Sequence, residues 1–323
     1  MIEPDLQLTI KGLHEEGAQK LGQVLIKIVQ EIAGTGLDLR GLRRIIVTTE
    51  YAAELKSLVT TRPGEFHYTN EEGAVGAAQS IPIPLADGGF DFAVVCEAYA
   101  VIALVAPEAT AEHRLMAGHI LHHELCHIHH DNTLLRTLPD SALKRNWRGE
   151  QRYIHLRALS CWSEYFANRI SAYIFEDGED FAAQQSGQTL VEAIPQAHSK
   201  VQEAARGFRL SGQVDPVVAA VDRYGGFLLK SLGSFLGYAD GLEKSVCELS
   251  PTTADAISAT YFAPFADRAH SALSGLFAKY QEGWTSLDVL EGLAAVVEDL
   301  YDYLGIHFTD LPDGQTWVDI ASL

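Results

Sequence analysis

Histidines are concentrated in one short stretch of the chain, HILHHELCHIHHDN (119–132), which holds six of the 13 histidines. Within it, His123, Glu124 and His127 form the pattern HExxH. In a helix, positions four apart lie on one face, roughly 6 Å apart along the axis. Two imidazoles at that spacing can bind one ion from the same side. The residue types and their spacing therefore predict a metal site.

The glutamate of this pattern, Glu124, has a chemistry of its own. On a helix it points about 100° away from His123, which is too far round to bind the same ion easily. It is close enough to hold a water on a zinc ion, and zinc lowers the pKa of such a water to about 7. A carboxylate can then take the proton, so we predict that Glu124 is the general base of a hydrolytic reaction.

A catalytic zinc site needs a third protein ligand and one open position. The helical pattern SCWSEYFANRISAYIF (160–175) offers Glu164, with Asn168 four residues later on the same face. We predict that Glu164 completes the site and that Asn168 hydrogen-bonds the outer nitrogen of a ligand histidine. Two alternatives stay open: an ordinary surface position for Glu164, and Glu150 in a polar stretch as the third ligand.

The other histidines of the stretch have simpler expected roles. His119 can extend the same stripe, whereas His122 and His129 lie off that face and are expected at the surface or behind the ligands. His130 lies about 10 Å along the axis from His123, too far for the same ion while the helix continues. A histidine tract for metal storage would lack both an ordered glutamate and a face packed in a core, so a catalytic site is favoured.

HExxH followed by a helix with E-x-x-A-N resembles the gluzincin zinc peptidases, most of all their compact ImmA/IrrE-like branch. That branch has intracellular members that act in phage immunity and stress regulation. The resemblance covers roughly residues 75–175, and the matching residues are His123, Glu124, His127, Glu164, Ala167 and Asn168. It implies that zinc binds to His123, His127 and Glu164. It also implies Glu124 as general base and a protein or peptide as substrate.

Three features depart from that pattern. Cys126 stands where glycine is common before the second histidine, and the gap from His127 to Glu164 is longer than in compact members. The region after about residue 180 has no counterpart in it. We expect Cys126 to be a small buried hydrophobe beside the ligand face, with a redox switch as the alternative.

The composition of the 323-residue chain, 47% apolar and 21% charged, is that of a folded soluble protein. Its net charge of −19 repels phosphate backbones and anionic membranes, so neither nucleic acid nor a membrane is an expected partner. No apolar run reaches the ~18 residues of a membrane span, and the first residues are unlike a secretory signal. Four scattered cysteines fit reduced thiols, which favours a cytoplasmic location.

Hydrophobic periodicity predicts the elements that position these residues. An amphipathic helix is expected over 16–34. Strands are expected over 43–51, 74–83 and 90–96. Helices are expected over about 111–130, 151–176, 190–208, 215–237, 252–280 and 286–304. Pro82 and Pro84 suit an edge strand, so the second strand is a candidate for pairing with a substrate peptide.

These elements predict an α+β fold, with a zincin-like small sheet plus the HExxH active-site helix and a largely helical C-terminal region. We place a zincin-like metallopeptidase domain over 1–180 and a helical domain of unknown role over 181–323. The function expected is an intracellular, zinc-dependent metallopeptidase that hydrolyses peptide bonds.

Two alternatives use the same site. One is a catalytically inactive zincin-like module for binding or sensing, against which Glu124 argues because a purely structural metal needs no base. The other is a non-peptidase hydrolase or a toxin-like effector. The group that stabilises the oxyanion stays open among Tyr153, His155, Tyr165, Tyr261, His270 and His307. The oligomeric state also stays open.

Overall fold

The structure, a computed structural model, describes residues 5–59, 70–71, 74–138, 141–145, 147–175 and 181–321. The chain divides into two compact units, one of residues 1–136 and 170–179 and the other of residues 137–169 and 180–323. The domain boundary expected at 180/181 stays a prediction. Among the described residues, no helix combines the length and the apolar character that crossing a membrane requires.

The first unit contains a small sheet and the histidine-rich helix. Its elements in chain order are β1 (Gln7–Ile10), α1 (Glu15–Gly34), β2 (Leu42–Thr48), α2 (Tyr51–Val59), β3 (Asn70–Glu71), β4 (Ala74–Val75), β5 (Ala78–Pro84), β6 (Phe90–Glu97), α3 (Ala98–Val101) and α4 (Ala111–Thr137). The main sheet has four strands in the order β1-β2-β6-β5. The first three are parallel, and β5 runs antiparallel to β6 at the edge. The prediction of an edge strand is therefore confirmed.

Local patterns account for most of this unit. The helix predicted over 16–34 is confirmed as α1, which buries Leu21, Leu25, Val29 and Ile32. The strand predicted over 43–51 ends at Thr48, because α2 begins three residues later. Neither β1 nor α2 was predicted. Four residues of β1 at the other edge of the sheet are too few for a period-2 pattern to be recognised.

The histidine-rich helix, α4, ends at Thr137, seven residues beyond its predicted end. Long-range hydrogen bonds of His129 and Asn132 hold this end of the helix. The side-chain amide of Asn132 donates to the backbone oxygens of Asp38 (3.0 Å) and Arg40 (2.8 Å). The Nδ1 atom of His129 accepts the backbone N–H of Asp38 at 2.9 Å. Tertiary contacts thus override weak local propensity at this end of α4.

The second unit is mainly helical. Its elements are α5 (Gly149–Tyr153), α6 (His155–Ser171), α7 (Phe181–Ser211), α8 (Asp215–Ala220), α9 (Gly226–Gly241), α10 (Val246–Leu249), α11 (Pro251–Ser258), α12 (Ala263–Glu282), α13 (Glu291–Tyr303), β7 (Ile306–Asp310) and β8 (Thr316–Ile320). The helix predicted over 151–176 is interrupted at Ile154, and the one predicted over 252–280 is split between α11 and α12. The antiparallel hairpin of β7 and β8 was not predicted, and the rest of this region is largely helical as expected.

Two glycines allow α9 to lie directly against the backbone of α6. A Cβ atom at Gly233 would overlap the backbone oxygen of Cys161. One at Gly237 would lie 2.5 Å from the backbone oxygen of Tyr165, well inside van der Waals contact. Any larger residue at either position would push α6 away. Because α6 carries Glu164, this close packing fixes where that carboxylate lies.

Candidate metal centre

Three predicted ligands form a cluster that could hold a metal ion. His123 and His127 on α4 and Glu164 on α6 each offer one ligand atom, and these atoms all lie within 4.8 Å of one another. Within the described part of the chain, no other group of three histidines, cysteines or carboxylates meets this criterion. The rival ligand Glu150 is therefore not part of such a group. The backbone N–H of Glu150 donates to Oδ1 of Asp310 at 2.8 Å.

The histidine pair has a geometry that fits a shared ion. Nε2 of His123 and Nε2 of His127 are 3.0 Å apart, and the rings meet edge to face with centroids 4.6 Å apart. In a tetrahedral site with bonds of 2.0–2.1 Å, two ligand nitrogens lie about 3.4 Å apart. A shift of a few tenths of an ångström would thus bring both nitrogens to ligand distance of one ion.

The number and exposure of the ligands favour a site with an open position. Three protein ligands leave a fourth position of a tetrahedral ion for water or substrate, whereas structural sites are closed by four. His123, His127 and Glu164 are all only partly buried. Two nitrogens and one carboxylate oxygen form a donor set that suits a divalent ion such as zinc.

Glu124 follows His123 directly in the sequence and is buried, but it does not belong to the ligand cluster. Its side chain is held by the sheet, because the backbone N–H of Ser80 donates to Oε2 at 2.6 Å. Burial raises the pKa of the Cys96 and Cys126 thiols, and the charge of Glu124 raises both further. Cys126 is fully buried, so the expectation of a small buried hydrophobe is confirmed. The role of Glu124 as a base stays a prediction.

Glu164 has neighbours from its own helix and from α9. The side-chain amide of Asn168 donates to the backbone oxygen of Glu164 at 2.9 Å, while its predicted bond to a ligand histidine stays a prediction. The ammonium of Lys230 lies 3.6 Å from Oε1 of Glu164. Burial raises the pKa of Tyr238, and the charge of Glu164 raises it further.

Sequence reasoning did not place Lys230 and Tyr238 near the candidate ligand. A signal was present, since Lys230 is the single charged residue in the apolar stretch GGFLLKSLGSFLGY (225–238) and Tyr238 ends it. A lone charge among apolar residues is expected to have a partner in the folded chain. The pattern alone does not say which carboxylate that partner is.

The remaining histidines of α4 do not all have the exposure expected from the helix face on which they lie. The surface position considered for His122 is wrong: it is fully buried, and its ring meets that of Tyr173 edge-on with centroids 5.2 Å apart. Burial lowers the pKa of His122 to about 4, with a smaller contribution from His123. His119 and His130 are also buried. Helix α4 packs on most of its circumference, so its off-face positions are not automatically exposed.

The six residues considered for oxyanion stabilisation all have structural contacts of their own. Tyr165 donates to Asp240, whose Oδ1 lies 2.8 Å from Nε2 of His270. The ring of Tyr153 stacks on Phe308 at 4.4 Å between centroids. The other three form hydrogen bonds: His155 with Glu291 (3.0 Å), Tyr261 with the backbone of Ile194 (3.0 Å) and His307 with Asp302 (2.7 Å).

Comparisons of this chain with family models, with curated proteins and with solved structures find no match. The resemblance to gluzincin peptidases therefore rests on the two motifs and on the ligand cluster that they form.

Proposed function

We propose that this protein is a zinc-dependent metallopeptidase that hydrolyses peptide bonds. The observation that carries the proposal is the cluster of His123, His127 and Glu164, whose ligand atoms all lie within 4.8 Å of one another. A carboxylate that is not in the cluster, Glu124, directly follows the first of these ligands in the sequence. Three ligands and a separate acid are the parts that metal-assisted hydrolysis requires.

Residues of this chain would have separate roles in peptide hydrolysis. His123, His127 and Glu164 would hold zinc, and zinc when bound supplies a Lewis acid and lowers the pKa of a water to about 7. Glu124 would accept the proton of the attacking water and pass it to the leaving amine. An extended peptide would add to the edge of the sheet along β5.

Catalysis explains this arrangement better than an inactive binding module does. A purely structural site would be closed by a fourth ligand and would not need a buried acid beside it. Glu124 is only 8% exposed, and burying a carboxylate is costly even when it accepts a hydrogen bond, so a buried acid beside two candidate ligand histidines supports a chemical role. All four cysteines are free, which supports a reducing compartment as part of the proposal.

The test combines metal analysis with turnover. Zinc is measured in the wild type, Glu124→Gln, Glu164→Ala and Glu150→Gln, and each protein is assayed on an unfolded-protein and peptide library. We expect zinc in all but Glu164→Ala, and turnover only in the wild type and Glu150→Gln. Zinc with no turnover in the wild type would favour the binding module. A wild type that binds no zinc would overturn the proposal.

A further inference from the structure

We propose that the backbone amide of Ser80, on the edge of β5 that pairs with no other described strand, is the group that positions the carboxylate of Glu124 for proton transfer. The inference rests on the proposed peptidase function and deepens it. Its basis is the hydrogen bond from Ser80 N–H to Oε2 of Glu124, 2.6 Å long, between residues 44 positions apart in the sequence.

The register of β5 explains why this amide points away from the sheet. Odd-numbered residues on this side of the hairpin face β6: the backbone oxygen of Ala77 accepts the N–H of Glu97 at 2.8 Å. At the other end, the N–H of Leu85 donates to the oxygen of Gly89 at 2.9 Å. In an antiparallel pair, the backbone groups of alternate residues face opposite sides. The even-numbered residues of β5 therefore present their backbone groups to the open edge.

Two of those even-numbered residues have no amide to offer. Pro82 and Pro84 lack an N–H, and a proline in a strand is tolerated only where the missing N–H would face away from the partner strand. Ser80 is thus the last residue of β5 with an amide that can donate at the open edge. The carboxylate of Glu124 accepts the hydrogen bond from that amide.

The chemistry of this contact suits a positioning role. A bond from an amide to a carboxylate oxygen is short and strong, and 2.6 Å is slightly below the usual range of about 2.7–2.9 Å. A strand amide is held by the hairpin, so it cannot rotate away as a side-chain donor can. General-base catalysis depends on the base lying within hydrogen-bond reach of the proton it removes. The amide of Ser80 restrains Glu124 in one orientation beside the ligand histidines.

The contact also joins two parts of the proposed reaction. The strand expected to pair with the substrate is the strand that holds the base. A peptide whose amides donate to the carbonyl oxygens of the even-numbered residues of β5 would therefore be placed in a fixed relation to Glu124.

The first test removes the amide hydrogen and keeps the strand. Ser80→Pro has no N–H, and the pairing with β6 does not need this N–H because the odd-numbered residues of β5 make that pairing. Ser80→Ala loses the hydroxyl and keeps the amide, so it is the matched comparison. We expect kcat of Ser80→Pro to be about 10–100-fold lower than that of Ser80→Ala, with KM of the two within about threefold and equal zinc content. Equal kcat values in two folded variants would overturn the inference.

The second test needs no activity. In amide-resolved NMR of the full chain, Glu124→Ala is expected to move the Ser80 amide proton upfield and to speed its hydrogen exchange by at least about tenfold, since a strong acceptor is lost. An unchanged Ser80 resonance and exchange rate would overturn the inference even if Ser80→Pro failed to fold. An inactive wild type would instead overturn the proposed function, and the Ser80 resonance would still decide whether this amide holds Glu124.

Discussion

The ammonium of Lys230 lies 3.6 Å from Oε1 of Glu164, the carboxylate proposed as the third ligand. The two side chains are 38% and 20% exposed, so the pair is partly screened by water. A cation at this distance stabilises the ionised carboxylate while the ion is absent and repels a divalent ion that binds there. Lys230 thus offsets the charge of the Glu164 carboxylate and would oppose the binding of a divalent ion there.

Replacing Lys230 by methionine is therefore expected to raise zinc affinity, by about 3–10-fold at low salt and by less at high salt. Competition with a chelating dye measures the change. Lys200→Met is the control, because Lys200 is an exposed lysine paired with Glu203 on α7. Weaker binding in Lys230→Met would show that the lysine orients Glu164 more than it repels the ion.

The close approach of α9 to α6 makes a second prediction. Gly237→Ala is expected to lower the free energy of unfolding by about 1–3 kcal/mol and to weaken zinc binding, because the added Cβ pushes away the helix that carries Glu164. Gly275→Ala on α12 is the matched control, since a Cβ there meets nothing within 4 Å. It should stabilise the protein by about 0.5–1 kcal/mol. Urea unfolding of both variants measures the contrast, and equal effects would contradict it.

Replacing two histidines of α4 by leucine should change the free energy of unfolding in opposite directions. His122 is fully buried, and neither ring nitrogen has a hydrogen-bond partner within the described chain. His122→Leu removes these unsatisfied atoms and should raise the free energy of unfolding by about 1 kcal/mol. His129→Leu leaves the N–H of Asp38 without its acceptor and should lower it by about 1–3 kcal/mol. Urea unfolding of the metal-free proteins tests both, and a destabilised His122→Leu would show an unrecognised role for that ring.

Asp240 is expected to make part of the stability depend on pH. It accepts hydrogen bonds from Tyr165, from Nε2 of His270 (2.8 Å) and from Oγ of Ser274 (3.0 Å), and it pairs with Arg169. Burial raises its pKa, but these hydrogen bonds outweigh burial and bring it down to about 2. A carboxyl with a lowered pKa stabilises the fold above the pKa of the unfolded state, and this stability is lost as pH falls through the folded value.

The contribution of Asp240 should therefore be complete above about pH 5 and should disappear between about pH 4 and pH 2. Its size follows from a shift of nearly two pKa units and is about 2 kcal/mol. Urea unfolding of the wild type and Asp240→Asn at pH 6 and pH 3 measures it. We expect the difference between the two proteins to shrink at pH 3. A difference that does not depend on pH would contradict the assignment.

Local periodicity was sufficient where an element is long and buries one face. Helix α1 is of this kind, whereas strand β6 is a continuous apolar run that is buried on both faces. Both agree with the predicted bounds within one residue at each end. The elements and helix end that were not predicted lack such a local pattern. Strand β1 and the β7–β8 hairpin are short, and the end of α4 depends on hydrogen bonds that join Asn132 and His129 to Asp38 and Arg40, more than 90 residues away. A local pattern contains no information about such partners.

The same division holds for the candidate centre. The spacing of His123 and His127 on one helix turn, with Glu124 between them, is a local property, so the sequence alone determined that two imidazoles face one point. Only the tertiary structure decided that the carboxylate of Glu164 joins them, that Lys230 stands beside it and that Ser80 holds Glu124. Those relationships join residues far apart in the chain, and they are set by strand register and by the closeness of helix packing, which no spacing encodes.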